Sequence, residues 1–169
     1  MLISLGSAYT RRPEFYRQCL AVFGDLPGWH VVLQIGRHTD ASELGKIPAN
    51  VKVHSWVPQR ATLAQADAFV THAGIGGCGE GLLAGVPMIA VPQGAEQFMN
   101  ADRLTELGIA RRIDTQDATA ETLRTALLAL VADPEVTRRS ARLRSQARAE
   151  GGALRAADLV ESMLGADPS

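Results

Sequence analysis

Residues 68–81 read Ala-Phe-Val-Thr-His-Ala-Gly-Ile-Gly-Gly-Cys-Gly-Glu-Gly, an apolar run that leads directly into a glycine-rich turn and then an apolar helix. Short apolar runs rich in Val and Ile recur along the chain and alternate with helical patterns, which is typical of βα units around a parallel sheet. We therefore predict an α/β fold with one doubly wound sheet. Its six strands are expected at Leu2–Leu5, His30–Ile35, Val51–Val53, Ala68–Thr71, Met88–Val91 and Ala110–Ile113.

The spacing of apolar residues predicts helices on both faces of this Rossmann-like sheet. One helix spans Pro13–Phe23, and another spans Ala95–Leu107 and ends before Gly108. After the last strand the pattern indicates a helical C-terminal third. Its helices are expected at Thr119–Ala132, Pro134–Glu150 and Ala153–Leu164. We predict a single domain over residues 1–165 and a frayed tail at 166–169.

The 169-residue chain carries 17 Lys and Arg against 18 Asp and Glu, a net charge near −1. Proteins that bind nucleic acid normally carry a clustered excess of basic residues, so this balance argues against a nucleic-acid partner. No apolar stretch approaches the roughly 20 residues of a spanning helix, and we expect no membrane partner. We interpret one group of arginines at helical spacing as a solvated helix face: Arg138, Arg139, Arg142, Arg144 and Arg148.

The two cysteines and the N-terminal residues indicate in which cellular compartment the protein is expected. Cys19 and Cys78 occur in different contexts, so no disulfide framework is implied and a reducing environment is favoured. Residues 1–6 lack the basic region and the cleavage site of a signal peptide. We therefore expect a cytoplasmic protein, and a strand that begins at Leu2 suggests that the chain is cut from something longer.

Ligands of open α/β sheets bind where strands end and helices begin. The glycines after the strand at Ala68–Thr71 allow close approach of a ligand, and the free N–H groups of a helix start favour a phosphate. Residues 74–79 also satisfy the dinucleotide pattern G-x-G-x-x-G. The expected acidic residue is missing, because Pro92 and Gln93 follow the next strand. Nicotinamide binding is therefore the weaker alternative.

Other chemistries fit the glycine-rich run less well. A nucleophile elbow would need glycine where Glu80 stands, and a packed Cys78 is a simpler interpretation than a nucleophile. The four histidines form no metal-ligand pattern, so no metal is expected. His72 could donate a hydrogen bond to an anion or be satisfied by its own loop. Trp56 could stack on a base, although its neighbours alone favour a core position.

The order and spacing of these motifs resemble the donor-binding signature of family 1 glycosyltransferases, most closely that of bacterial macrolide glycosyltransferases of the oleandomycin type. The resemblance runs from Leu5 to the helix after Gly152 and covers only the C-terminal half of the two-domain GT-B fold. The motifs that carry it are Trp56-Val57-Pro58-Gln59, His72-Ala73-Gly74, Glu80, Gly85-Val86-Pro87-Met88, Pro92, Ala95-Glu96-Gln97 and Asn100-Ala101.

The resemblance implies a nucleotide-sugar donor, either UDP-glucose-like or a dTDP-sugar, and assigns a role to each motif. Trp56 would stack on the pyrimidine, and the Val57 backbone would pair with the base edge. The ribose hydroxyls would be held by Gln59 and Glu80. The diphosphate would be bound by Ser7, His72 and the backbone of Gly74, Gly76, Gly77 and Cys78, and the sugar by Glu96 and Gln97.

The resemblance also implies inverting transfer of a hexose to a hydroxyl of a macrolide or similar compound, without a metal. His72 would stabilise the leaving diphosphate, whereas the general base and the acceptor pocket would lie in an N-terminal domain that this chain lacks. We therefore expect the isolated chain to bind nucleotide and to transfer nothing. The alternative is a natural half-protein that a partner chain completes.

The sequence departs from the family pattern at two positions. Gly77 and Cys78 stand where the family usually has hydroxyl residues, so one or two phosphate hydrogen bonds are in doubt. The glycines also weaken the helix start by roughly 1 kcal/mol each. We expect weaker or more mobile diphosphate binding than in relatives.

Overall fold

The structure is a computed structural model that describes residues 1–8 and 10–164, and it contains one six-stranded sheet. The strands are β1 (Leu2–Ser4), β2 (Val31–Gln34), β3 (Val51–His54), β4 (Phe69–Thr71), β5 (Met88–Ala90) and β6 (Ala110–Arg112). Their order is β3-β2-β1-β4-β5-β6, and every neighbouring pair is parallel. The α/β prediction is confirmed, and each predicted strand agrees with the structure to within one residue at each end.

Seven α-helices accompany the described strands. They are α1 (Pro13–Phe23), α2 (Gln59–Leu63), α3 (Ile75–Ala84), α4 (Ala95–Glu106), α5 (Ala120–Ala132), α6 (Pro134–Ala149) and α7 (Gly152–Leu164), with 3-10 turns at Ala41–Leu44 and Thr115–Asp117. The five helices whose bounds were predicted agree to within one residue at each end. The short α2 was not predicted, and the predicted frayed tail lies outside the described residues.

The glycine-rich run was predicted to lead into an apolar helix and to weaken its start, and in the structure most of the run lies within that helix. Helix α3 begins at Ile75, so Gly76, Gly77 and Gly79 lie inside it. No atom lies within 4 Å of a Cβ added at Gly76 or Gly79, so packing requires glycine at neither position, whereas it does further along the helix. A Cβ at Gly81 would lie 2.6 Å from the Met88 Sδ, so the missing side chain lets α3 approach β5 closely.

Two apolar clusters cover the two faces of the sheet. Successive strand residues point to opposite faces, and β1 shows this directly: Leu2 belongs to one cluster and Ile3 to the other. The cluster around Ile3 includes residues of α1 and α5, whereas the cluster around Leu2 includes residues of α2, α3 and α4. The prediction of helices on both faces is confirmed.

The strand order fixes where a ligand can bind. From β1 the chain proceeds outward to β2 and β3, and it then returns to the other side of β1 to form β4, β5 and β6. The order reverses between β1 and β4, and the crevice at such a switch point is the usual ligand site of open α/β sheets. The turns that follow these two strands contain Gly6-Ser7 and His72-Ala73-Gly74.

The last two helices differ in how they pack. Helix α6 lies against α3, whereas α7 is exposed over its whole length. Large apolar side chains on α7, including Leu154 and Met163, are exposed. No helix in the described part of the chain combines the length and the apolar composition that a membrane crossing requires.

Candidate functional site

Two adjoining cavities open at the switch point, with volumes of about 1030 Å³ and 420 Å³. They share Gly6, Ser7, Gln59 and Glu80, so they form one continuous cleft. The sequence-predicted site residues Trp56 and Val57 line the larger cavity. Those that line the smaller cavity are His72, Gly74, Gly76, Gly77, Glu96 and Gln97. Of the twelve predicted residues, Cys78 alone lines neither cavity.

Trp56 follows β3 and stands at the mouth of the larger cavity. Its side chain is 68% exposed, so the core position that its neighbours favoured is wrong. Exposure of a large apolar indole to water is energetically unfavourable. Beside a cavity, the indole offers an aromatic face on which a flat ring can stack.

A buried amide, Gln34, joins the turns beneath the larger cavity. Its Nε2 donates to the Ser4 Oγ and to the Gly6 carbonyl oxygen, each at 3.1 Å. Its Oε1 accepts from the Val57 N–H at 3.0 Å. Because that N–H is engaged, the Val57 carbonyl oxygen is the backbone group left to pair with a base. Sequence reasoning missed Gln34, and the available signal was a polar residue at the end of the apolar run that forms β2.

Gln59 and Glu80 lie where the two cavities meet. Gln59 is the first residue of α2, and its Nε2 donates to the Glu80 Oε2 on α3 at 2.8 Å. Among the described residues, no hydrogen bond engages the Glu80 Oε1. The pair therefore presents carboxylate and amide oxygens as acceptors, the groups that neighbouring hydroxyls require.

His72 is held between two glycines. A Cβ at Gly6 would lie 2.6 Å from the His72 Cε1, and one at Gly74 would lie 2.4 Å from the Nε2. Burial lowers the pKa of His72, and the nearby Glu96 carboxylate opposes this shift only in part. The Nδ1 is buried and has no hydrogen-bond partner among the described residues. A neutral imidazole with unused hydrogen-bonding capacity therefore lines the smaller cavity.

The first turn of α3 also faces the smaller cavity. Gly74 precedes the helix, and no side chain caps the first amides of α3. Amides at a helix start lack acceptors within the helix, and the helix dipole adds a partial positive charge there. This end of α3 can therefore receive an anion.

The predicted contribution of Cys78 to the diphosphate site is wrong. The Cys78 N–H donates to the Gly74 carbonyl oxygen at 3.0 Å, so that amide is already used by the helix. Its side chain packs in the apolar cluster that includes α3, and burial raises the pKa of the thiol to about 11. Cys78 is thus a packed thiol, as the simpler sequence interpretation proposed. Cys19 and Cys78 are both free.

The sugar end of the predicted site lies at the start of α4. Glu96 is exposed there, whereas Gln97 is buried. The Gln97 Oε1 accepts from the Gln93 N–H at 2.8 Å, so this oxygen closes the turn before the helix. The Gln97 amide nitrogen and the Glu96 carboxylate are the groups that remain for a ligand. Within the described residues, no group of three or more His, Cys, Asp or Glu is arranged to hold a metal.

Within the group of arginines that we interpreted as a solvated face, Arg144 is half-buried, whereas Arg148 is exposed. Arg144 and Arg148 line the larger cavity and donate to the carbonyl oxygens of Ala84 and Leu83, at 3.5 Å and 3.2 Å. These carbonyls end α3, where a positive charge is favourable. The sequence could not show this, because the contact joins helices that are distant in the chain.

Comparisons with known proteins show the family to which the chain belongs. A family profile described as erythromycin biosynthesis protein CIII-like, C-terminal domain, matches residues 18–163. Oleandomycin glycosyltransferase of Streptomyces antibioticus is 59% identical over 164 residues, which are 97% of this chain and 38% of that protein. The chain therefore spans about two fifths of that relative's length.

Solved structures show the same likeness. The glycotransferase of kitacinnamycin superposes with a TM-score of 0.89 and 55% identity, over 95% of this chain and 42% of that one. The glycosyltransferase VinC, solved in complex with dTDP, superposes with a TM-score of 0.75 and 25% identity, over 88% of this chain and 37% of that one.

Proposed function

The chain belongs to the family of erythromycin biosynthesis protein CIII-like C-terminal domains, and from this membership we propose that it is the donor-binding domain of an inverting, metal-independent glycosyltransferase. The donor is a UDP- or dTDP-sugar, and the acceptor is a hydroxyl of a macrolide or similar natural product. The observation that carries the proposal is the single cleft at the switch point, in which Trp56, the Gln59–Glu80 pair and the uncapped start of α3 follow one another.

This order matches the parts of a nucleotide-sugar. The indole of Trp56 supplies a face for the base, and the Val57 carbonyl oxygen supplies an acceptor at its edge. Gln59 and Glu80 lie one step further along the cleft and suit the ribose hydroxyls. The start of α3 and His72 line the smaller cavity and suit the diphosphate, and Glu96 lines the same cavity at the start of α4.

In the proposed reaction the acceptor hydroxyl oxygen attacks the anomeric carbon while the bond from that carbon to the diphosphate oxygen breaks. The nucleoside diphosphate leaves with the electron pair, so negative charge grows on its terminal phosphate. Fixed N–H donors at the start of α3 and on the His72 ring stabilise that charge without reorganisation. The acceptor proton passes to a base that we expect outside this chain, in the N-terminal domain.

The nicotinamide alternative is weaker on the observed topology. The dinucleotide fingerprint of doubly wound folds occupies the first βα turn, after β1. In this chain the glycine-rich run follows β4, and Val91, Pro92 and Gln93 follow β5 instead of an acidic residue.

The test is a titration of the isotope-labelled chain with UDP, dTDP and NADH in separate NMR experiments. UDP or dTDP should shift the Trp56 indole signal and the amides of residues 74–79. Trp29 packs against the opposite apolar cluster, so its indole signal is an internal control and should stay in place. A response to NADH alone, or to none of the three, would contradict the proposal.

A transfer assay separates the isolated domain from a complete enzyme. The isolated chain should bind nucleotide without glycosylating an acceptor, because the base and the acceptor pocket are expected elsewhere. Glycosylation at an enzyme-like rate by this chain alone would refute the division of roles. Activity restored by a separately expressed partner would favour the natural half-protein.

A further inference from the structure

We propose that Asn100 is a positioning residue of the donor site, which holds Ala73 in a left-handed conformation and thereby fixes both His72 and the start of α3. The inference deepens the proposed function and rests on it, because it concerns how the diphosphate end of that cleft is built. Asn100 lies on α4 and is absent from the residues that line either cavity.

The unusual backbone is at Ala73. This residue has a φ of +59° and is fully buried, between His72 and Gly74. A residue with a Cβ seldom adopts a left-handed conformation, and it persists only where the surroundings impose it. Among the described residues, the one other non-glycine with a positive φ is Asp25, which is exposed in a turn.

Side chains on both sides hold the Ala73 peptide groups. The Thr71 Oγ1 accepts from the Ala73 N–H at 3.2 Å, and the Asn100 Nδ2 donates to the Ala73 carbonyl oxygen at 3.0 Å. Thr71 is the last residue of β4, so it holds the Ala73 N–H from the sheet. Asn100 lies on α4 and holds the Ala73 carbonyl oxygen from the other side, so it is the side chain that ties this loop to a neighbouring helix.

The orientation of His72 depends on this loop. Its ring already fits between Gly6 and Gly74, at distances where a single added Cβ would clash. A rotation at Ala73 would displace the ring from that gap and would also move Gly74, whose carbonyl oxygen accepts the first hydrogen bond of α3. Both groups proposed to bind the diphosphate therefore depend on one residue, Ala73.

Asn100 also connects the two ends of the cleft. It lies about one helical turn after Glu96 and Gln97, which line the smaller cavity at the start of α4. A shift of α4 that accompanies sugar binding would pass through Asn100 to the loop that carries His72. The side chain therefore links the sugar end of the proposed site to its diphosphate end.

The test is a substitution at Asn100 and its rescue by a glycine at position 73. Asn100→Ala should shift the His72 ring signals and the amides of Ala73 and Gly74 in the free chain. It should also weaken UDP or dTDP binding roughly five- to tenfold, the factor expected for the net strength of one hydrogen bond. Glycine adopts the left-handed conformation without strain, so adding Ala73→Gly should restore the ring signals and bring the affinity back to within about twofold.

The controls separate positioning from general stability. Met99 is the preceding residue of α4 and is 75% exposed, so Met99→Ala should change neither the His72 signals nor the affinity. Asn100→Asp keeps the size of the side chain but removes the donor, and it replaces Asn100→Ala if that variant does not fold.

Unchanged His72 signals in Asn100→Ala would overturn the inference. Asn100 would have a structural role only if Ala73→Gly did not restore the affinity and the single and double variants showed the same fall in melting temperature. If the wild-type chain binds neither UDP nor dTDP, the proposed function fails, and the His72 signals of the free variants still decide whether Asn100 positions the loop.

Discussion

Replacing Gly6 by alanine should disturb the proposed donor site, because it combines a strained backbone with a steric clash. Gly6 has a φ of +80°, and its missing Cβ leaves room for the His72 ring, which an added Cβ would meet at 2.6 Å. A left-handed alanine costs about 1–2 kcal/mol. Overpacking against a side chain held on its other side by Gly74 adds about 1–3 kcal/mol. We therefore expect Gly6→Ala to lower the free energy of unfolding by about 2–5 kcal/mol.

Gly28 provides a matched control. Its φ is +77°, and no atom lies within 4 Å of the Cβ that an alanine would add. Gly28→Ala should therefore carry the backbone cost of about 1–2 kcal/mol without the steric one. Urea unfolding of both variants measures the difference, and NMR of the His72 ring with UDP or dTDP titration reports on the site. Equal destabilisation of the two variants, with unchanged His72 signals in Gly6→Ala, would refute the argument that Gly6 makes room for the ring.

Further substitutions test the rest of the cleft. Trp56→Ala should weaken nucleotide binding by about 1–3 kcal/mol in a calorimetric titration while leaving stability unchanged, because the side chain is largely exposed. Burial lowers the pKa of His72 below its usual value near 6.5, so the unfolded chain binds more protons just below that pH. The free energy of unfolding should therefore fall as the pH drops below about 6.5. Urea unfolding at several pH values should show a smaller fall for His72→Asn than for the wild-type chain. Arg144→Ala should lower the free energy of unfolding by about 0.3–1 kcal/mol through the lost charge at the end of α3, whereas Arg142→Ala, exposed on the same helix, should leave it unchanged. Gly79→Ala should raise the melting temperature, because the position is open and alanine favours the helix by about 1 kcal/mol.

The strands and most helices could be predicted because their signals are local. Apolar runs mark the strands, and Pro13, Gly108 and Pro134 mark helix ends with residues whose backbone preferences are strong. Helix α2 gave no such signal. It has five residues, follows Pro58, and buries only Leu63, so its stability comes from packing that the sequence pattern does not show.

The candidate site was predicted less evenly. Eleven of the twelve residues that the resemblance to a known family assigned to the donor line the cleft, and their roles in binding stay a prediction. Gln34 was missed because its role arises from two segments, the end of β1 with its turn and the segment after β3, that converge on one buried amide. The error at Cys78 has a similar cause, since only the observed start of α3 shows that its amide is already hydrogen-bonded.

The two departures from the family pattern have different physical consequences. At position 77 a Cβ would lie 3.1 Å from the Thr71 Oγ1, the atom that accepts from the Ala73 N–H. A serine there would therefore press on the group that holds the loop, and glycine relieves that contact at the expense of helix stability. At position 78 the side chain is buried, so replacing a hydroxyl by the thiol changes packing rather than the lining of the cleft. Any weakening of diphosphate binding should therefore come from Gly77, and the hydrogen-bond donors left to the phosphates are the free amides of α3 together with the His72 ring.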